Sequence, residues 1–205
     1  QWRAMNGNDT ARTVRDPLDF YPTPTNVTEV FRGWLASHSD APSEASTFLD
    51  PAAGDGHLIR AMRGVWGASR WTAIEIDPVR ATACLEVADK VIIGDALRVN
   101  WPAGHVVMNP PFSRLDEFWQ VASQHREDHG MWVAALTPVA WWSAEKRRRY
   151  VRPDYMIALG WRPSFRSQTG AGHKGSQDFC WSVLAPVAQT QTIWSREEKP
   201  ANNRQ

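Results

Sequence analysis

The chain has 205 residues, with 23 Lys and Arg against 22 Asp and Glu, a formal net charge of +1, and 42% hydrophobic residues. A chain of this size buries roughly 70% of its unfolded surface in one core, and its two cysteines, Cys84 and Cys180, sit in apolar settings that exclude a disulfide scaffold. No apolar run approaches the ~18 residues of a membrane span and no charged-then-apolar leader opens the chain, which points to a cytosolic protein with no membrane partner.

Residues 1–19 are polar and aperiodic, and read as a flexible segment. From there, helical stretches alternate with runs rich in Val, Ile and Trp, the pattern of a parallel sheet with crossover helices. Helices are predicted over Asn26–Ser37, His57–Trp66, Pro78–Ala88 and Leu115–Asp128, the last with Leu115, Phe118, Val121 and Ala122 on one face. Strands are predicted over Thr47–Asp50, Trp71–Ile76, Lys90–Ile93, His105–Met108, Met131–Leu136, Tyr155–Leu159 and Asp178–Leu184. The segment Arg162–Ser176, with Gly170, Gly172 and Gly175, reads as a mobile basic loop, and residues 187–205 read as a flexible tail. One domain over residues 20–186 remains.

Four short motifs lie at the carboxyl ends of predicted strands, the edge where open parallel sheets bind ligands. Asp50-Pro51-Ala52-Ala53-Gly54-Asp55-Gly56 leads into a helix, and its small residues let backbone approach a ligand closely. A plain strand-to-helix turn is the other reading of this stretch. In Ile74-Glu75-Ile76-Asp77-Pro78, one βα unit later, an acid stands where it accepts hydrogen bonds from ribose hydroxyls. Asp77, directly before a proline, equally suits a helix cap. In Gly94-Asp95-Ala96-Leu97, Asp95 is either a turn residue or an acceptor for an adenine amine.

Met108-Asn109-Pro110-Pro111-Phe112 is the most specific of the four. Two successive prolines remove two backbone donors and fix two φ angles, leaving a rigid turn with carbonyl acceptors. An amide oxygen beside a bare carbonyl suits a group with two N–H bonds, and Phe112 offers a ring face for a planar base.

These residues resemble the S-adenosylmethionine-dependent amino methyltransferases, specifically the adenine-N6 DNA methyltransferases, and among them short phage- or prophage-encoded members. The resemblance spans Phe20 to Leu184 and includes closing patterns like Gly160-Trp161-Arg162-Pro163-Ser164-Phe165 and Phe179-Cys180-Trp181. It implies a Rossmann-like class I α/β fold: a mostly parallel seven-stranded sheet, helices on both faces, and an antiparallel last strand. It also implies S-adenosyl-L-methionine as cofactor, held by Tyr21 and Thr23 of Phe20-Tyr21-Pro22-Thr23-Pro24, by Asp50, Ala52 and Gly54, by Glu75 and Ile76, by Asp95 and Ala96, and by Asn109. Asn109, Pro110, Pro111 and Phe112 match the catalytic tetrapeptide. The implied product is N6-methyladenine in DNA. The expected chemistry needs no titrating base: the Asn109 Oδ1 and the Pro110 carbonyl take the amine hydrogens and aim the lone pair at the methyl group. A cation–π contact from Phe20 or Tyr21 to the sulfonium completes the expected site.

Twelve tryptophans is a high count, and Trp141, Trp142 and Trp161 fall in or beside a basic stretch. Between Ser143 and Ser176 eight basic residues face two acidic ones, a net of +6. Lys146, Arg147, Arg148, Arg149, Arg162, Arg166 and Lys174 are therefore candidate phosphate contacts, with Trp141 and Trp142 candidate base-stacking residues. A solvated helix face and core tryptophans are the structural alternatives. A duplex base must be flipped out to reach such a site. No room is left for a large recognition domain, so a monomer or homodimer acting on DNA is expected, with RNA possible.

Gly170–Ser176 lacks the Ser or Thr of a phosphate-binding loop, and His125 and His129 have no third ligand, so neither nucleotide hydrolysis nor a metal site is expected. His57 reads as a lining residue of the cofactor pocket. The rival readings are methyl transfer to an RNA adenine or a protein glutamine amide, and a non-catalytic nucleic-acid-binding subunit with the same fold.

Overall fold

The structure, a computed structural model, describes residues 18–38, 41–43, 45–64, 66–147, 149–166, 172–173, 177–188 and 192–197. Its helices are α1 (Thr25–Ala36), α2 (His57–Arg63), α3 (Pro78–Cys84) and α4 (Leu115–His129). The strands are β1 (Thr47–Asp50), β2 (Arg70–Glu75), β3 (Lys90–Ile93), β4 (His105–Met108), β5 (Val133–Pro138), β6 (Tyr155–Leu159), β7 (Phe165–Arg166), β8 (Gly172–His173), β9 (Phe179–Leu184) and β10 (Ile193–Glu197).

The main sheet has the order β10-β6-β9-β5-β4-β1-β2-β3. Seven of these strands are the expected ones, with β9 antiparallel to both β5 and β6 and the rest parallel. The eighth, β10, is a correction: residues 193–197 lie in the segment read as a flexible tail, yet pair in parallel with β6 from Ile193↔Tyr155 to Glu197↔Leu159. The segment read as a mobile loop also contains structure, because β7 and β8 form a short antiparallel pair with Phe165 opposite His173. Leu18 and Asp19, expected in the flexible N-terminal segment, are described too, and Asp19 is buried.

Successive residues of each central strand feed opposite faces. Phe48, Ala73, Val107, Ala134 and Trp181 pack with α1 and α2 through Val27, Phe31, Leu35, Leu58, Ile59 and Met62. Leu49, Ile74, Val106, Met108, Ala135 and Cys180 pack with α4 through Leu115, Phe118, Trp119 and Ala122. Helices therefore cover both faces. Cys84 and Cys180 are buried free thiols. No described helix is long and apolar enough to cross a membrane.

The caps follow local chemistry. Asp77 accepts from the Val79 N–H at 2.8 Å and the Arg80 N–H at 3.4 Å, so it caps α3 as its place before Pro78 suggests. Gly130 ends α4 in a left-handed conformation (φ 61°).

Strand order reverses between β1 and β4, which opens a crevice at their carboxyl ends. Beneath it, Phe48 is fully buried between Trp71 (ring centroids 4.8 Å apart) and Trp66 (5.2 Å). Replacing Phe48 with Ala leaves a cavity between two indoles and is expected to lower stability by about 3–5 kcal/mol, as measured by urea unfolding.

Candidate active site

The four strand-end motifs meet at this crevice. Tyr21, Thr23, Asp50, Ala52, Glu75, Ile76, Asp95, Ala96, Asn109 and Pro111 line one cleft, as does His57, which pairs with Asp55. Local backbone explains the first motif. Gly54 and Gly56 have φ of +56° and +81°, and a Cβ on Gly54 would lie 2.2 Å from the Phe20 ring. The glycine is thus the seat of Phe20, over whose ring the Arg80 guanidinium lies at 4.0 Å, a cation–π contact within the protein itself.

Asp50 is 1% exposed at the end of β1 and accepts the Ala52 N–H at 3.1 Å. Burial pushes its carboxyl up to about 7; the Ala52 N–H opposes this and the neighbouring Glu75 charge adds to it. Glu75 ends β2, accepting the Gly54 N–H at 2.7 Å on one oxygen and the Asp77 N–H at 2.9 Å on the other. Burial raises its carboxyl above the usual range, against the pull of those two donors. Beside it Ile76 is 45% exposed, an apolar side chain facing open space in a cleft. Asp95 accepts the Leu97 N–H at 3.0 Å, and Arg114 Nη1 lies 3.3 and 3.2 Å from its two oxygens. Burial raises the Asp95 carboxyl, but the Leu97 N–H and Arg114 outweigh it and hold it below the ordinary value.

Asn109 follows β4 directly. Its Nδ2 donates to the Tyr21 carbonyl at 3.0 Å, while its Oδ1 is buried with no hydrogen-bond partner. Phe112 does not line the cleft; it is half-buried against Phe179 (5.3 Å) and Phe165 (6.2 Å).

The candidate nucleic-acid contacts fare differently. Trp141 and Trp142 are 8% and 7% exposed, which corrects their reading as base-stacking residues. Trp142 Nε1 donates to Ser182 Oγ and Trp141 Nε1 to Asp116, while Trp119 packs edge-on against both rings. Asp116 also takes Lys146 at 2.6 Å and Arg147 at 2.7 Å, and Arg162 pairs with Asp178 at 2.9 Å. Arg149 is exposed, with its guanidinium 6.0 Å from the Tyr150 ring. Arg148, Lys174 and the side chain of Arg166 lie outside the described residues. Among the described residues no cluster of His, Cys, Asp and Glu is arranged to hold a metal ion.

Sequence reasoning missed Asp19, Arg80, Ser113, Arg114 and Phe118, all of which line the cleft. Phe118 was legible as a core helix residue. Arg114 carried no signal, because its partner Asp95 lies 19 residues away.

No protein-family model and no curated protein matches the chain. Solved structures do. A candidate RNA methyltransferase from Pyrococcus horikoshii superposes with a TM-score of 0.59 at 18% identity, over 85% of this chain and 88% of the other. A candidate O-methyltransferase from Agrobacterium tumefaciens gives 0.56 at 11% identity over 88% of each chain. A candidate methyltransferase from Escherichia coli gives 0.50 at 18%, over 83% of this chain and 92% of its own.

A test of the cleft's electrostatics follows from Asp50. A folded-state value near 7, above the ordinary 3.8, means the folded protein holds a proton that the unfolded chain releases. That stabilisation is complete below about pH 4 and disappears as pH rises through 7. Relative to Asp50→Asn, the wild type is therefore expected to lose stability between about pH 4 and pH 7 and then level off, measured by urea unfolding across that range. With its reversed strand order, antiparallel β9 and helices on both faces, the chain has the Rossmann-like class I methyltransferase fold.

Proposed function

We propose that the protein is an S-adenosylmethionine-dependent methyltransferase acting on the exocyclic N6 amine of adenine in DNA. The observation that carries this reading is Asn109 Oδ1, a buried acceptor without a partner, on a turn that lines the same cleft as Asp50, Glu75 and Asp95. An unpaired buried acceptor costs about 1–3 kcal/mol, and a ligand N–H there removes that cost.

The cleft suits a cationic cofactor better than a dinucleotide. Asp19, Asp55 and Glu75 line it against Arg80, with Asp50 adding its charge as pH rises through about 7 and Asp95 paired with Arg114. A pyrophosphate would be repelled there, whereas an ammonium and a sulfonium are attracted. In this reading Glu75, which retains lone pairs, would accept from the ribose hydroxyls, Ile76 would pack on the adenine and Asp95 would accept its amine, while Asp50 and Thr23 would hold the methionine end. When bound, the cofactor supplies an electrophilic methyl group.

The chain's own contribution to catalysis is orientation. Asn109 Oδ1 and the Pro110 carbonyl accept the two amine hydrogens of the target adenine, keeping the lone pair free to attack. Neither group titrates near neutrality, so the fixed dipoles of the turn act without a general base. Phe112, which does not line the cleft, steadies the proline turn from behind through its packing on Phe165 and Phe179.

Internal pairing of Lys146, Arg147 and Arg162 favours a single-stranded or flipped-out base over tight duplex binding. The same turn would receive an RNA adenine, and the likeness to the candidate RNA methyltransferase makes RNA the second substrate to assay. Methyl transfer from labelled cofactor to single-stranded DNA, duplex DNA, RNA and protein decides between acceptors, with N6-methyladenine in DNA the expected product. Asn109→Ala is expected to lower turnover about 100- to 1000-fold while calorimetry still detects cofactor binding; near-normal turnover would sink the reading.

A further inference from the structure

The buried acceptor of Asn109 stays unpartnered because something holds its amide in one of two orientations. That partner is the Tyr21 carbonyl, which can accept only from Nδ2. Tyr21 belongs to the segment Leu18–Thr23, every residue of which lines the cleft. Contacts among the described residues fasten this segment across the site. Phe20 lies in the notch left by Gly54, with Arg80 over its ring. Tyr21 O holds Asn109. Asp19 Oδ2 accepts the Ser113 N–H at 2.9 Å, on the turn that continues directly from Asn109-Pro110-Pro111-Phe112.

Asp19 is unusual in its backbone. Its φ of +56° makes it the one non-glycine residue with positive φ among those described, and it is 8% exposed. An L-residue in this region is disfavoured and persists where surrounding contacts over-determine it. Here the conformation turns the carboxylate onto Ser113 while the next residues run on to Gly54 and Asn109. Asp19 and Tyr21 thus grip the proline turn from its two ends, Ser113 and Asn109.

We infer that Leu18–Thr23 is a strap, latched by Asp19 to the Ser113 N–H, which fixes the Asn109 amide with its oxygen toward the substrate; Asp19 is thereby a positioning residue for methyl transfer. The inference rests on the functional reading above only where it concerns turnover. The latch itself belongs to the ligand-free protein. Releasing it lets Tyr21 withdraw, and the Asn109 amide then samples both orientations, one of which presents an N–H to the incoming amine.

Two variants remove the acceptor in opposite backbone contexts: Asp19→Ala keeps the strain of a positive φ and Asp19→Gly relieves it. An effect shared by both belongs to the latch rather than to the backbone. Asp19→Asn keeps a side-chain oxygen and tolerates positive φ, so it serves as the rescue. In the ligand-free protein, hydrogen exchange at Ser113 and at the amides of Phe20, Tyr21 and Thr23 is expected to rise at least about tenfold in the Ala and Gly variants and to stay within about threefold in the Asn variant. Turnover is expected to fall about tenfold or more in the first two. When either is added to Asn109→Ala, whose residual activity no longer depends on an amide orientation, no further fall in turnover is expected. Unchanged exchange at Ser113 and the strap, or a full additional loss of turnover on the Asn109→Ala background, overturns the inference. If the wild type methylates no acceptor, the functional reading falls, and the exchange measurement still decides whether the latch exists.

Discussion

A single side-chain amide is held in one orientation beside this cleft. The carboxamide of Asn109 has one end that donates and one that accepts, and the Tyr21 carbonyl admits only the donating end. Reversing the amide would set two oxygens against each other and forfeit a hydrogen bond, so the accepting end remains buried and unpartnered. This deficit is local, and a well-packed sheet offsets it. Met108, immediately before the asparagine, is fully buried beneath α4, and its register with Ala135 of β5 anchors the base of the turn. The two prolines then deny the chain cheap ways to relax.

Most of the strand framework was legible because burial on one or both faces leaves a pattern in sequence. The residues predicted for β1, β3, β4 and β6 coincide with those strands, since each is a short apolar run between turn residues. The predicted helices α2 and α3 end earlier, at Arg63 and Cys84, because the apolar residues that follow pack from turns rather than from helical backbone. Asp50, Glu75, Asp95 and Asn109 were legible for a related reason: strand ends in a parallel sheet all lie at one edge, so residues far apart in sequence can be assigned to one site. What stayed hidden depends on tertiary partners. Nothing near Ser113 in sequence announces that its N–H meets a carboxylate 94 residues earlier, and β10 carries too little apolar periodicity to stand out from the tail around it.

The basic stretch shows the same limit from the electrostatic side. Counting charge along the chain treats neighbours in sequence as the relevant counter-ions. In the fold, Asp116 at the start of α4 reaches across 30 residues to Lys146 and also holds Arg147 and the Trp141 indole. Lys146 and Arg147 outweigh burial and keep its carboxyl below the ordinary range. Arg147 lies over the Trp141 ring at 4.6 Å, so the guanidinium also packs as a planar group. A run of cations that looks like a phosphate clamp serves in part to tie the segment after β5 to α4.

The direction of β10 has a consequence for anything joined to the protein. Because it runs parallel to β6, it delivers Glu197 to the same edge as Leu159, and that edge is where β4 presents Asn109. Whatever follows Glu197 therefore leaves from the edge of the sheet that carries the cleft, and a bulky handle appended there would crowd its opening.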